Sequence, residues 1–92
     1  MASNDTSGIN ITGAQLRAAR ALLQMDQKTL AGLSSVSIAT IKRLEPTVGP
    51  IKANKVTIEA LRRALEIAGV EFIAENGGGV GVRLARRSDD PS

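Results

Sequence analysis

Gln27, Lys28, Ser37, Ile38, Ala39, Thr40, Lys42 and Arg43 crowd into one short stretch of a 92-residue chain that has no cysteine and no histidine. Amide, hydroxyl and cationic groups at this density suit the binding of phosphate oxygens and base edges, where Arg and Lys supply charge and directed donors. The missing Cys and His remove disulfides, thiolate metal sites and the usual side chains for nucleophilic and base chemistry. Acids are scattered over caps, helix ends and tails, so no carboxylate pair is set up for acid–base work. The chain reads as a binding protein and not an enzyme, with no metal or other cofactor expected.

Charge placement agrees with a polyanionic partner. The net charge is +3, but Arg17, Arg20, Lys28, Lys42 and Arg43 face only Asp26 and Glu45 between Thr12 and Glu45. Lys52, Lys55, Arg62 and Arg63 then face Glu59 and Glu66, while most remaining acids lie in the flanks. A basic middle attracts nucleic acid, although a solvated surface has the same composition. Apolar residues make up 42% of the chain with a single aromatic, Phe72. The core must therefore come from Leu, Ile, Val and Ala, which suits packed helices in one small domain. No apolar run reaches the roughly 20 residues of a membrane span, and the polar start is no signal peptide. The expectation is a cytoplasmic protein that does not engage a membrane.

The elements that must hold these residues are marked by their caps. Residues 1–11 are expected to form a disordered arm, polar and small over Met1–Gly8. Thr12 with Gln15 forms a capping box, and Ile11 can staple to Leu16. Leu16, Ala19 and Leu23 then share a helical face, with Leu22 beside them. Asp26 caps a short second helix that fades at Ser34-Ser35, and Ser37 caps a third that must stop by Glu45 because Pro46 follows. Two short helices thus flank a turn of three or four residues. Asn54 is the favoured cap of a fourth helix, with Thr57 the alternative. Ile58, Leu61, Leu65 and Ala68 form its stripe, and Gly69 is placed to end it in a left-handed conformation. The domain spans residues 12–69.

Beyond Gly69 the apolar period changes to two, and residues 70–84 read as a β-hairpin. A three-residue loop over Asn76–Gly78 pairs Ala74 with Val80, Phe72 with Val82 and Val70 with Leu84, and sets Glu71 against Arg83. A two-residue loop would set Phe72 against Arg83 and is disfavoured. The glycines Gly77–Gly79 lack the strand–loop–helix setting and the lysine of a phosphate loop. Two strands alone are marginal in water, so the hairpin is read as a dimerisation element using Val70, Phe72, Ile73, Val80, Val82 and Leu84. Residues 85–92 are expected to be a flexible tail.

Gln27 to Glu45 holds the pattern Gln-x-x-Leu-Ala followed by Val-Ser-x-x-Thr-Ile-x-Arg-x-Glu. Ala31 is small where two helices cross, and Leu30, Val36, Ile41 and Leu44 supply contacts between them and the first helix. The stretch resembles the phage-repressor (Cro/cI, Xre-like) class of helix-turn-helix transcriptional regulators. The likeness covers roughly Gln15 to Leu44, and the hairpin is similar to the C-terminal segment of many short members. It implies a mainly α fold, a compact four-helix helix-turn-helix domain followed by a C-terminal β-hairpin.

The resemblance also implies roles. Gln27 at the start of the second helix would bind a phosphate, with a base edge as second candidate, and Lys28 would meet phosphate. Ser37, Ile38, Ala39, Lys42 and Arg43 would face the groove from a recognition helix over 38–45, and Thr40 would contact the backbone or pack locally. Apolar Ile38 and Ala39 suit thymine methyls, and Arg43, with Lys42, would hydrogen-bond guanine. Inward packing is the alternative for Ile38 and plain helix propensity for Ala39. Arg20 and Glu45 would form a structural ion pair. Lys52 and Lys55 lie where phosphates would pass, and Arg62 and Arg63 face solvent or a partner subunit. Ser35 stands where the class often has glycine at positive φ, at a cost of about 1 kcal/mol.

The expected function is sequence-specific binding of double-stranded DNA by a homodimer reading a palindromic operator. The alternative is an antitoxin or partner-binding regulator whose hairpin or tail contacts a second protein; a pure protein-interaction module is the third class.

Overall fold

A computed structural model describes residues 10–85. Four helices precede a two-stranded antiparallel sheet: α1 Gly13–Leu23, α2 Gln27–Ser34, α3 Ile38–Leu44, α4 Lys55–Ala68, β1 Val70–Ile73 and β2 Gly81–Leu84. The fold is mainly α with a C-terminal hairpin, as the sequence suggests. Among the described residues no helix is long and apolar enough to cross a membrane.

Each helix begins at a side chain that takes up orphan backbone donors. Thr12 accepts from the Gln15 amide at 2.9 Å while the Gln15 side chain accepts from the Thr12 amide at 2.8 Å, closing the capping box. Asp26 accepts from Thr29, Ser37 from Thr40 and Asn54 from Thr57, all through backbone N–H groups. Asn54, not Thr57, is the cap of α4.

α1 ends on Gln24 in the left-handed region at φ 54°, and α2 ends on Ser35 at φ 61°. The Ser35 value agrees with the strain expected of that turn. Replacing Ser35 with glycine removes the left-handed cost of about 1–2 kcal/mol but adds about 0.5–1 kcal/mol of chain entropy. The expected net effect is a small rise in melting temperature, measurable by calorimetry. A lower melting temperature would refute this account of the turn.

Leu16, Leu30, Ile41, Leu44, Leu61, Leu65 and Val70 are the largest fully buried side chains, drawn from all four helices and β1. Ala31 from within α2 and Val36 from the turn between α2 and α3 pack against this core. The stripe of α4 is Ile58, Leu61, Ala64 and Leu65; Ala68, expected to continue it, is exposed. The chain leaves the core at the end of α4, and Val70 re-enters it. Gly69 between them has φ 127° and ψ 18°, positive but outside the left-handed helical well, and its N–H donates to Leu65 and Glu66 carbonyls. Only glycine takes such a φ without steric cost.

Residues 46–53 are more than a connector. Gly13 N–H donates to the Gly49 carbonyl at 3.1 Å and Ile51 N–H to the Ile11 carbonyl at 3.0 Å, so this loop pairs with the entry to α1. Ile11 and Ile51 are both core residues. The expected arm over 1–11 is therefore shorter by its last residues, because Ile11 is buried. The rest of that arm, residues 1–9, lies outside the described residues, as do residues 86–92 of the expected tail. Ala85, expected to open the tail, instead donates its N–H to the Gly69 carbonyl at 2.8 Å and extends the ladder.

The strands pair Val70 with Leu84, Glu71 with Arg83, Phe72 with Val82 and Ile73 with Gly81. This is the expected register, including the Glu71–Arg83 pair at 3.0 Å. The expected Ala74–Val80 pair does not form, and residues 74–80 make a longer connection. Its cause is Glu75, whose carboxylate accepts from Gly77 N–H at 2.9 Å and Gly79 N–H at 3.1 Å. That side chain takes the Gly79 amide, which a three-residue loop would leave to the ladder.

Candidate nucleic-acid interface

α3 is only seven residues long, too short to hold itself helical in water, so its position depends on what grips it. Ile41 and Leu44 are buried in the core. At i+3 and i+4 spacing the opposite side carries Ile38, Ala39, Lys42 and Arg43, all exposed. Ile38 is 38% exposed and stands outside the core cluster. Neither Lys42 nor Arg43 is in an ion pair among the described residues. Two cations and two apolar side chains thus share one outward face.

Ser37 and Thr40 close a local pair at the start of α3. The Ser37 hydroxyl accepts from the Thr40 amide at 3.1 Å and donates to Thr40 Oγ1 at 3.0 Å. Ser37 is thus engaged within the chain by both the amide and the hydroxyl of Thr40. Thr40 is half-buried, its hydroxyl against that of Ser37.

The far end of α3 is held by Glu45, which is 3% exposed. Arg20 from α1 grips its carboxylate with Nε at 2.6 Å and Nη2 at 2.7 Å, a bidentate pair. The third Arg20 nitrogen, Nη1, donates to the Met25 carbonyl at 2.9 Å. Gln27 from α2 donates its side-chain amide to Glu45 Oε1 at 2.9 Å. Arg17 donates to the Glu45 main-chain carbonyl. Three helices therefore converge on one residue. Burial pushes the Glu45 carboxyl up, but hydrogen bonds from Arg20 and Gln27 and the charges of Arg20 and Arg17 outweigh it and hold it below the usual carboxylate range. The bond to Glu45 holds the Arg20 guanidinium above its ordinary value. No buried side-chain polar atom among the described residues lacks a partner.

The Arg20–Glu45 pair implied by the resemblance is thus present. Gln27 is half-buried, with one amide hydrogen engaged by Glu45, so its carbonyl and second amide hydrogen are what remain for an outside ligand. Lys28, one residue on, is exposed, as are Lys52 and Lys55. Arg17 and Gln15 were not singled out for tertiary roles by sequence reasoning. Gln15, 5% exposed, completes the capping box with its oxygen and donates its nitrogen to the carbonyls of Gly81 at 2.8 Å and Ile73 at 3.3 Å. No sequence signal separates that second role from the first.

The expected dimerisation set is divided by the fold. Val70 is 2% exposed and belongs to the core, so it is not available to a second chain. Phe72 and Val82 are half-buried and pack against that core, and Ile73 is also half-buried. The face that carries Val70, Phe72, Val82 and Leu84 turns toward α1 and α4, and the cover runs out at its Leu84 end. Only Val80 and Leu84 of the six are exposed.

Fold and site together define a four-helix domain with a helix–turn–helix unit, whose third helix is gripped on one side and bare on the other. Comparison with known proteins gives no matching family model and no similar curated protein.

Proposed function

We propose that this chain is a cytoplasmic transcriptional regulator that binds double-stranded DNA as a homodimer and reads a palindromic operator with α3 in the major groove. The observation that carries the reading is the exposed α3 face of Ile38, Ala39, Lys42 and Arg43 on a helix locked from behind by Ile41, Leu44 and the Glu45 network. A helix so held keeps its outward side chains preorganised, which a base-reading helix needs. Arg43 and Lys42 supply hydrogen-bond donors for guanine, and Ile38 and Ala39 supply apolar contact for thymine methyl groups. Lys28 and the remaining amide hydrogen of Gln27 bind phosphate at the start of α2. One seven-residue helix reads few base pairs, so a twofold dimer with half-sites about one helical turn apart supplies the selectivity.

Selection of bound sequences from a random duplex library tests this directly, with a palindromic consensus as the expected result. Arg43→Ala is expected to weaken binding to the selected duplex by about 1–3 kcal/mol per half-site and to relax preference at one position. Lys28→Ala is expected to weaken all duplexes alike and flatten the salt dependence. Unchanged affinity of Arg43→Ala for both selected and random duplexes would remove α3 from the interface.

A second reading, an antitoxin or other regulator that holds a protein partner, is favoured by one observation. A cleft of about 310 Å³ opens beside the hairpin, walled by Phe72, Ala74 and Val80 together with Ile11 and Pro50. An apolar side chain of a partner protein would fit there. Purification as a stable homodimer without any companion protein supports the first reading against this one.

A further inference from the structure

α4 has two apolar ridges, and the fold uses one. Ile58, Leu61, Ala64 and Leu65 face the core, while Val56 and Ile67 are 75% and 80% exposed. At 3.6 residues per turn, their spacing brings the two side chains to within roughly 20° of one direction. Ala60 and Arg63 fall between them on the same line. A β-branched residue in an exposed helical position costs helix propensity and returns nothing from solvent.

We infer that this stripe packs against the same stripe of a second copy, α4 antiparallel to α4 about a twofold axis. The inference rests on the dimeric reading above and names the surface that forms the dimer. The pattern is self-complementary. Val56 with Ile67, and Ala60 with Arg63, share one midpoint along the helix, so a single antiparallel register sets Val56 opposite the partner's Ile67 and Ala60 opposite the partner's Arg63 at once. Ala60 is small where the axes cross, which allows the usual 8–10 Å approach. Glu59, beside Ala60, then meets the partner's Arg63. Neither Glu59 nor Arg63 is in an ion pair within the chain among the described residues, whereas Arg62 is held by Glu66 at 3.0 Å. The hairpin offers less, since Val70, Phe72 and Val82 are spent on the chain's own core. A fourteen-residue helix is about 21 Å long, so the contact is small and the dissociation constant is expected on the order of micromolar.

Sedimentation of the full chain tests this, with circular dichroism as the check on folding. The parent chain is expected to self-associate, and the doubly substituted Val56→Glu, Ile67→Glu chain to dissociate at least about tenfold more readily while keeping its helix signal. Leu84→Glu is expected to leave association unchanged. The charge contact has its own signature. Arg63→Glu and Glu59→Arg each weaken self-association, but an equal mixture of the two regains it, because only the mixed dimer sets opposite charges together. That recovery cannot come from changes within one helix.

A monomeric parent, a Val56→Glu, Ile67→Glu chain that associates like the parent, or loss of the dimer on Leu84→Glu alone each overturns the inference. If the α4 variants behave as expected and no duplex is selected, the surface stands and the DNA reading falls. If a palindrome is selected while the α4 variants stay dimeric, the DNA reading stands and this surface falls.

Discussion

Glu45→Ala is expected to destabilise the domain by about 3–5 kcal/mol, the cost of removing one partner from a buried charge pair. Arg20 would keep only its bond to the Met25 carbonyl, with Nε and Nη2 left facing the emptied site. The Gln27 amide would lose its acceptor as well. A loss of that size is a large fraction of the stability of a domain this small, and denaturant unfolding or calorimetry reads it. Arg20→Ala is expected to do similar damage. The double variant should cost much less than the sum of the two, because each single change already breaks the same network.

The network also sets a pH dependence. Glu45 has a folded pKa below its ordinary value, so the folded state favours the charged form more than the unfolded chain does. Its contribution is complete above the unfolded carboxylate range and is lost as pH falls through the depressed folded value. Asp26 acts in the same direction, its carboxyl held low chiefly by the Thr29 backbone hydrogen bond. Stability is therefore expected to fall on acidification below the normal carboxylate range. In Glu45→Gln the slope of stability against pH should be shallower there. An equally steep slope in that variant would show that Glu45 does not carry the effect.

Gly13→Ala is expected to be the most damaging single-methyl change in the chain, at about 3 kcal/mol or more. A Cβ at this position would overlap the Thr47 carbonyl oxygen and lie 2.7 Å from that of Leu44 and 2.9 Å from that of Glu45. All three are main-chain atoms, so no side chain can swing aside. Relief requires the end of α3 and the following loop to back away from α1, which breaks the Gly13–Gly49 hydrogen bond and disturbs Ile51 in the core. Overpacking of this kind typically costs about 1–3 kcal/mol where side chains can adjust, and more where they cannot. Alanine is otherwise the better helix residue by about 1 kcal/mol, so helix propensity alone gives the opposite sign. A thermal melt of the variant decides between them: a drop of roughly 10 °C or more is expected, and a rise would show that α3 does not press on α1.

The parts of the fold that were legible in advance are those whose physics is local. Thr12, Asp26, Ser37 and Asn54 all cap as their positions suggest, because a cap acts within three residues of itself. Positive φ at Ser35 was expected from the resemblance, whereas Gln24 at the end of α1 gave no such cue. The hairpin register was legible because side-chain alternation and the Glu71–Arg83 pair agree on one alignment. Its loop was not, since nothing in Asn76-Gly77-Gly78-Gly79 shows that Glu75 will collect two glycine amides. Of the candidate site, the groove-facing assignment of Ile38, Ala39, Lys42 and Arg43 came from resemblance. The Arg20–Glu45 pair came from resemblance and not from spacing.

Sequence by itself thus determined where the helices start, which stripe of each is apolar, and the excess of cations around α2 and α3. Those properties depend on neighbours three or four positions away, and the chain carries them wherever it goes. Tertiary structure alone decided that Gly13 must lack a side chain, that Gln15 braces the hairpin, that Gln27 and Arg17 meet at Glu45, and that Val70 belongs to the core. Each of those joins residues far apart in the chain. Such contacts exist only after the helices have packed, and composition or period cannot announce them.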